Sequence, residues 1–172
     1  MKKILCLILS LTLLISLFGC DLREKKDEVP VSFFYLRDPD NYVYGSGDGV
    51  VTYELRDATE HAGDLKYLLT LYLQGPLDEK LRSPYPAGCK LLELHQDAEE
   101  MTLLLNSNLA TLKDMDLTLA CVCLARTCFS LANVRIVRIM VESFADQIAI
   151  DQTIHIDSLL PLDTAIPTES GK

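Results

Sequence analysis

The first twenty residues restrict how much of this chain can fold into a domain. Residues 4–18 form an apolar run broken only by Ser10, Thr12 and Ser16, and the run follows the positively charged start Lys2-Lys3. A helix needs about 20 apolar residues to span a bilayer, so this shorter run is typical of an export signal. We therefore expect residues 1–19 to be a signal peptide. The remaining 153 residues (172 − 19) are enough for one domain with its own core.

The apolar run ends in Leu17-Phe18-Gly19-Cys20, which is similar to a bacterial lipobox. This resemblance implies cleavage between Gly19 and Cys20, with a diacylglyceryl group on the Cys20 thiol of the new N-terminus. Two or more acyl chains, such as palmitate, give stable anchoring where one chain does not. The alternative is an ordinary N-terminal membrane helix with a chance cysteine. The lipobox predicts a protein anchored by lipid to the outer face of the cell membrane.

The charge of the mature chain argues against nucleic acid as a partner. Loss of Lys2 and Lys3 leaves 14 basic residues against 25 acidic ones, a net charge of −11. Nucleic-acid-binding domains carry a basic patch. The seven tyrosines have no basic patch beside them, and we expect them to be half-buried packing residues.

The cysteines of the mature domain are expected to be free thiols. An exported chain raises the question of disulfides, but Cys121, Cys123 and Cys128 fall in one predicted helix, where they are too far apart or point apart. Only Cys89 has the freedom to pair with one of them. No cysteine or histidine pair has the spacing of zinc ligands. Cys121 and Cys128 are expected to pack as small hydrophobic residues.

Helical and alternating patterns define the first half of the domain. Residues 31–36 and 50–55 are rich in β-branched and aromatic residues and predict two strands. Apolar residues at helical spacing from Leu65 to Tyr72 predict a helix that Gly75-Pro76 ends.

The second half repeats a hairpin and a helix. Residues 89–95 and 101–106 predict a β-hairpin, and a helix should begin at Asp114 or Asp116, either of which can cap it. Cys123 lies off the main apolar stripe of this helix and is expected to be the most exposed of its three cysteines. Residues 134–141 predict a strand, and residues 148–150 and 153–156 a small final hairpin.

The order β-β-α-β-β-α-β favours an α+β fold, a mixed β-sheet with two helices packed on one face. We assign residues 20–30 to the lipidated cysteine and a charged spacer. Residues 31–160 form the domain, and residues 161–172 form a flexible C-terminal tail.

Motifs for catalysis or for a cofactor do not emerge. Gly45-x-Gly47-x-Gly49 opens no predicted helix, so it is better explained as a turn than as a phosphate cradle. Asp38-Pro39-Asp40 starts like a calcium loop but lacks the later ligands. A Cys123–histidine nucleophile remains a minor alternative. We predict no catalytic residues, no metal and no cofactor.

Two sequence motifs of the central segment resemble those of the GerMN domain (sporulation and spore germination). The first motif is Leu68-Leu69-Thr70-Leu71-Tyr72-Leu73-Gln74-Gly75-Pro76. The second is Leu81-Arg82-Ser83-Pro84-Tyr85-Pro86-Ala87-Gly88-Cys89-Lys90-Leu91-Leu92. The hairpin strand at residues 101–106, the segment Leu117-Thr118-Leu119-Ala120 and the strand at residues 134–141 continue the similarity. Cys89 stands where the family usually has Thr.

This resemblance implies a non-catalytic lipoprotein domain of a Gram-positive spore-forming bacterium. It would be held at the membrane through its lipid anchor and would dock onto another envelope protein, in an envelope or sporulation complex. A binding module for a small envelope ligand, such as a cell-wall fragment, is the second hypothesis, and a thiol-dependent enzyme is the third. An exposed sheet edge would favour docking, and a concave pocket with convergent polar groups would favour a ligand.

Overall fold

The computed structural model describes residues 29–41, 49–142 and 148–159. These ranges contain seven strands and three α-helices, in the order β1 (Pro30–Arg37), β2 (Val51–Asp57), α1 (Leu65–Tyr72), β3 (Leu81–Arg82), β4 (Leu91–Asp97), β5 (Glu100–Leu105), α2 (Asp114–Leu131), β6 (Ile136–Glu142), β7 (Ile148–His155) and α3 (Ile156–Leu159). The predicted signal with Gly19 and Cys20, Gly45 and Gly47, and the predicted tail lie outside the described residues.

The strands form two sheets. Sheet 1 has the order β2-β1-β3 and is antiparallel, whereas sheet 2 has the order β4-β5-β6-β7. Sheet 2 is mixed, because β5 and β6 are parallel and its other pairs are antiparallel. The predicted α+β class is confirmed, but the expectation of a single sheet is wrong. The strands of the first half pair only among themselves, and the two-residue β3 was too short to predict.

Helix α1 packs Leu68, Leu69 and Tyr72 into the core, as its spacing predicts. The Asp64 side chain caps its start by accepting a hydrogen bond from the Tyr67 N–H at 3.0 Å. After its end, Gly75 adopts a φ of +105°, a left-handed conformation that favours glycine. Helix α1 therefore ends before Gly75-Pro76, as the sequence predicts.

Helix α2 lies against the edge of β1 that β3 leaves uncovered. The Phe34 N–H donates to the Thr127 hydroxyl at 3.0 Å, and the Ser130 hydroxyl donates to the Ser32 carbonyl at 2.7 Å. The helix is therefore buried on more than one side. Cys123 is fully buried, so the expectation that it is the most exposed cysteine of this helix is wrong. Lys113 stands at the N-cap and makes no side-chain capping bond, so the expected aspartate cap is also absent there.

Sheet 2 contributes the other half of the core. Strands β5 and β6 bury alternate residues, namely Met101, Leu103, Leu105, Val137, Ile139 and Val141. The predicted hairpin of β4 and β5 is confirmed, with Ala98 at a φ of +43° in its turn. The predicted final hairpin is wrong. Strand β7 is one continuous strand that pairs with β6 from Glu142 back to Ile136.

Candidate docking surface

Strand β2 is the outer strand of sheet 1 and carries two large apolar side chains that face solvent. Tyr53 is 54% exposed and Leu55 is 64% exposed. Alternate residues of a strand point to the same face, so Val51 lies on that face with them. Outer strands with exposed apolar side chains are templates for pairing with another chain. We call Val51, Tyr53 and Leu55 the β2 edge surface.

The backbone of this surface is oriented for pairing. The Arg37 N–H donates to the Val50 carbonyl at 2.9 Å, and the Ala58 N–H donates to the Val29 carbonyl at 3.0 Å. The even-numbered residues of β2 therefore bond to β1. Because hydrogen-bonding directions alternate along an antiparallel strand, Val51, Tyr53 and Leu55 turn their N–H and C=O groups away from β1. No strand of the described part of the chain pairs with β2 on that side.

The apolar face of the edge continues onto β1. Phe34 stands directly opposite Tyr53, and the centroids of the two rings lie 5.6 Å apart. The guanidinium carbon of Arg126 lies 4.9 Å from the centroid of the Phe34 ring, a cation–π contact from helix α2. The exposed aromatic stripe therefore has a fixed position relative to the core.

The opposite face of β2 is held by a buried ion pair. The Arg56 Nε donates to a Glu54 carboxylate oxygen at 2.5 Å, and the Arg56 Nη2 donates to the Gly75 carbonyl at 2.7 Å. The Glu54 carboxylate also accepts from the N–H groups of Leu77 and Asp78 at 3.0 and 3.1 Å. The pair fixes the turn after α1 beside β2 and leaves Leu77 79% exposed there.

Neither member of this ion pair was predicted from the sequence. The alternation Tyr53-Glu54-Leu55-Arg56 contains the available signal, because it places charged residues on one face and apolar residues on the other. The unexpected feature is that the charged face is the buried one, where each charge neutralises the other and bonds to the backbone.

Three buried tyrosines support sheet 1 from within. The Tyr35 hydroxyl donates to the Tyr72 carbonyl at 2.8 Å, and the Tyr72 hydroxyl donates to the Phe34 carbonyl at 2.7 Å. The Tyr85 hydroxyl donates to the Ala120 carbonyl at 3.1 Å. Burial raises the pKa of all three phenols. The expectation of half-buried tyrosines is wrong for these residues. They join β1, α1, α2 and the loop at residues 83–88, which we call the proline loop.

The cysteines have the properties of packing residues. All four described cysteines are free and buried, which confirms the prediction for Cys121 and Cys128. Burial raises the pKa of Cys89 and Cys121 to about 11 and that of Cys123 to about 12. A nucleophilic cysteine needs a lowered pKa to be a thiolate at neutral pH. This environment is the opposite of the one that the Cys123 enzyme hypothesis requires.

A groove of about 640 Å³ opens between the end of α1 and the proline loop. Its charged lining residue is Lys90, and Thr70, Gln74 and Ser83 add uncharged polar groups. Two asparagines hold its wall, since Asn106 Nδ2 donates to the Gly88 carbonyl at 2.9 Å and Asn108 Nδ2 donates to the Ala87 carbonyl at 3.0 Å. These asparagines were not predicted from the sequence, since they lie about twenty residues after the loop. The groove has the size of a small-molecule site.

Several acidic residues lie in turns. The Asp38 side chain accepts from the Asp40 N–H at 2.9 Å in a local turn, and Asp97 and Glu99 are exposed at the hairpin tip. The described ranges hold no group of three or more histidine, cysteine or acidic side chains placed to bind a metal ion. Among the described helices, none has both the length and the apolar character needed to cross a membrane.

No protein-family model matches the sequence, and no curated protein matches it. The solved structures that are similar to the fold include domains of a sporulation protein and a candidate lipoprotein. The tandem GerMN domains of the sporulation protein GerM from Bacillus subtilis share 13% identity with a TM-score of 0.46, over 74% of this chain and 44% of that one. A candidate lipoprotein from Clostridium perfringens shares 14% identity with a TM-score of 0.44, over 76% of this chain and 89% of that one. The chain thus spans less than half of the GerM structure.

Proposed function

We propose that this chain is a non-catalytic, GerMN-like lipoprotein domain that docks onto another protein at the outer face of the cell membrane. The observation that carries the proposal is the β2 edge surface. Tyr53 and Leu55 are more than half exposed on an outer strand whose backbone groups point outward. Main-chain pairing supplies affinity at such an edge, and the alternate side chains supply specificity.

The surroundings of the edge support docking more than catalysis. The Glu54–Arg56 pair and the tyrosine network fix the strand before a partner arrives, so less conformational entropy is lost on binding. The thiols that an enzyme would need are buried and protonated. The domain thus presents a rigid edge and no activated nucleophile among its cysteines.

The proposed anchor limits where the partner lies. The lipobox places the lipid on Cys20, and the ten residues from Asp21 to Pro30 span at most about 35 Å. The partner must therefore lie close to the membrane. Confinement of both proteins there raises their effective concentration, so a weak contact suffices.

Site-specific photo-crosslinking in intact cells tests this proposal. A photoreactive residue at Leu55, 64% exposed, is compared with one at Met115, which is 67% exposed on α2. We expect a discrete adduct from position 55 that disappears when Cys20 is replaced, and none from position 115. No adduct from position 55, or equal adducts from both positions, would refute docking through β2.

The groove beside the proline loop supports a second candidate function, the binding of a small envelope ligand such as a cell-wall fragment. Lys90 offers a cation for a carboxylate, and the Asn106 and Asn108 bonds keep the wall in place. Titration with soluble muropeptides, followed by nuclear magnetic resonance, would test it. Binding should shift the signals of Gln74 and Lys90 and should weaken in Lys90→Ala. Shifts that are unchanged in Lys90→Ala would contradict this site.

A further inference from the structure

We propose that the β2 edge surface pairs with the same surface of a second copy of this chain, antiparallel, with Tyr53 opposite Tyr53 of the second copy. This inference rests on the proposed docking function and names its partner. Pairing would join the two three-stranded sheets into one six-stranded sheet with a two-fold axis between the tyrosines. Such isologous contacts are the commonest form of symmetric assembly.

The side chains of β2 are complementary to themselves in this register. Val51 of each copy falls opposite Leu55 of the other, and both are apolar residues on the same exposed face as Tyr53. Asp57 falls opposite Gly49, and Glu54 falls opposite Thr52. The pairing therefore sets no like charges directly opposite each other, which would be destabilising.

The neighbouring symmetric register is less favourable. Moving one copy by two residues pairs more of the strand, but it places Glu54 opposite Glu54 of the second copy. Each of these carboxylates is already bound to its own Arg56 and to two backbone N–H groups, so neither can turn away. The charge pattern of the strand thus favours the register centred on Tyr53 over the one centred on Glu54.

The backbone geometry agrees with the same register. Val51, Tyr53 and Leu55 turn their N–H and C=O groups to the open side, so these residues form the hydrogen-bonded pairs of a new ladder. A single strand pair of this length buries less surface than the roughly 1,200 Å² at the lower end of standard stable interfaces. We therefore expect weak dimers in solution and stronger pairing where anchoring confines the chains.

The tethers are compatible with this arrangement. The two-fold axis runs perpendicular to the sheet, so Pro30 of both copies can face one membrane. Strand spacings place the two prolines about 30 Å apart. Each spacer reaches about 35 Å, so both lipid anchors can insert into the same leaflet.

Cysteine crosslinking of the full-length lipidated protein in cell membranes tests the register. Tyr53→Cys places two thiols on Cα atoms about 5.5 Å apart, within the range of a disulfide. Leu55→Cys lies about 14 Å from its own copy but opposite Val51→Cys of the other. Under a mild oxidant we expect dimers from Tyr53→Cys, and from Leu55→Cys co-expressed with Val51→Cys. Leu55→Cys alone and Met115→Cys should remain monomeric.

The outcomes separate this inference from the proposed function. Monomeric Tyr53→Cys, or equally strong dimers from Leu55→Cys alone or from Met115→Cys, would overturn the inference. If Tyr53→Cys stays monomeric while the crosslinker at position 55 still gives a discrete adduct, docking stands and its partner is another protein. If both experiments give nothing, docking through β2 fails as well.

Discussion

The hydroxyl oxygens of Tyr72 and Tyr85 lie 2.6 Å apart in the interior, although the two residues come from a helix and from the proline loop that follows it. Their rings meet edge to face with centroids 5.4 Å apart. This contact ties the end of α1 to the wall of the groove, and the Tyr72 hydroxyl also reaches the Phe34 carbonyl of sheet 1. One side chain therefore links three parts of the domain.

Tyr72→Phe should destabilise the domain, because it leaves the Tyr85 hydroxyl and the Phe34 carbonyl without this partner. We expect a loss of about 1–3 kcal/mol in the free energy of unfolding. Urea denaturation measures it, and Tyr67→Phe is the control because Tyr67 is 42% exposed, whereas Tyr72 is fully buried. Equal losses in the two variants would contradict the role of the buried network.

Gly88→Ala should cost more stability than Gly63→Ala. Both glycines have positive φ values, +79° and +89°, so both substitutions strain the backbone. A Cβ at Gly88 would also lie 2.8 Å from Nδ2 of Asn108, whereas nothing lies within 4 Å of one at Gly63. We expect about 1–3 kcal/mol of extra loss at Gly88 by thermal unfolding. The extra loss should shrink in an Asn108→Ala background, and its persistence there would show that the clash is not the cause.

Arg56→Met should strongly destabilise the domain. It leaves the Glu54 carboxylate buried without its cation and the Gly75 carbonyl without its donor, and breaking a buried pair costs about 3–5 kcal/mol. Arg138→Met is the control. The pair of Arg138 with Asp151 lies at the surface, where solvent screens the two charges and such pairs contribute little to stability. Similar losses by chemical denaturation would contradict the burial of the Arg56 pair.

The buried thiols should make stability fall at high pH. Their folded-state pKa values are raised from 9.0 to about 11 for Cys89 and Cys121 and to about 12 for Cys123. The folded state therefore holds these protons more tightly. The stabilisation is complete below pH 9 and is lost as pH rises from 9 toward 12. Unfolding midpoints measured from pH 7 to 11 check this, and Cys121→Ala should flatten the decline. A midpoint unchanged up to pH 11 would contradict it.

Cys20→Ala should leave an unprocessed precursor without an acyl group, because the proposed lipid would be attached through the Cys20 thiol. Metabolic labelling with palmitate and the migration of the protein on a gel measure this. Cys6→Ala, which changes a cysteine inside the apolar run, is the matched control and should be labelled normally. Palmitate that still enters Cys20→Ala would refute the lipobox.

Local patterns predicted most of the elements, and tertiary contacts decided the rest. The spacing from Leu65 to Tyr72 and the turn between β4 and β5 are local, and both were placed correctly. The division into two sheets depends on which strands share hydrogen bonds, and no local pattern specifies this. The predicted final hairpin failed for the same reason, because pairing with β6 keeps β7 in one piece.

The site was predicted less completely than the fold. Cys123 lies off the main stripe of α2, and a one-sided helix would expose it. Contacts on a second side, where Thr127 and Ser130 bond to β1, bury it instead. Glu54 and Arg56 were missed because the backbone groups that bind their charges lie in a turn about twenty residues later. The spacing of apolar residues along a helix or strand indicates which face is buried. It does not indicate whether another element also covers the opposite face.

The hydrogen bonds from the Thr127 and Ser130 hydroxyls to β1 cover the part of the β1 edge that β3 leaves open, so β2 is the longer outer strand of sheet 1. Along Ser32 and Phe34, helix α2 terminates the sheet as a capping strand would. A sheet that can grow at both edges is able to propagate into a fibre, whereas one that can grow at a single edge must stop after one addition. The same helix that completes the core thereby helps to close the assembly at two copies when β2 of one copy pairs with β2 of another.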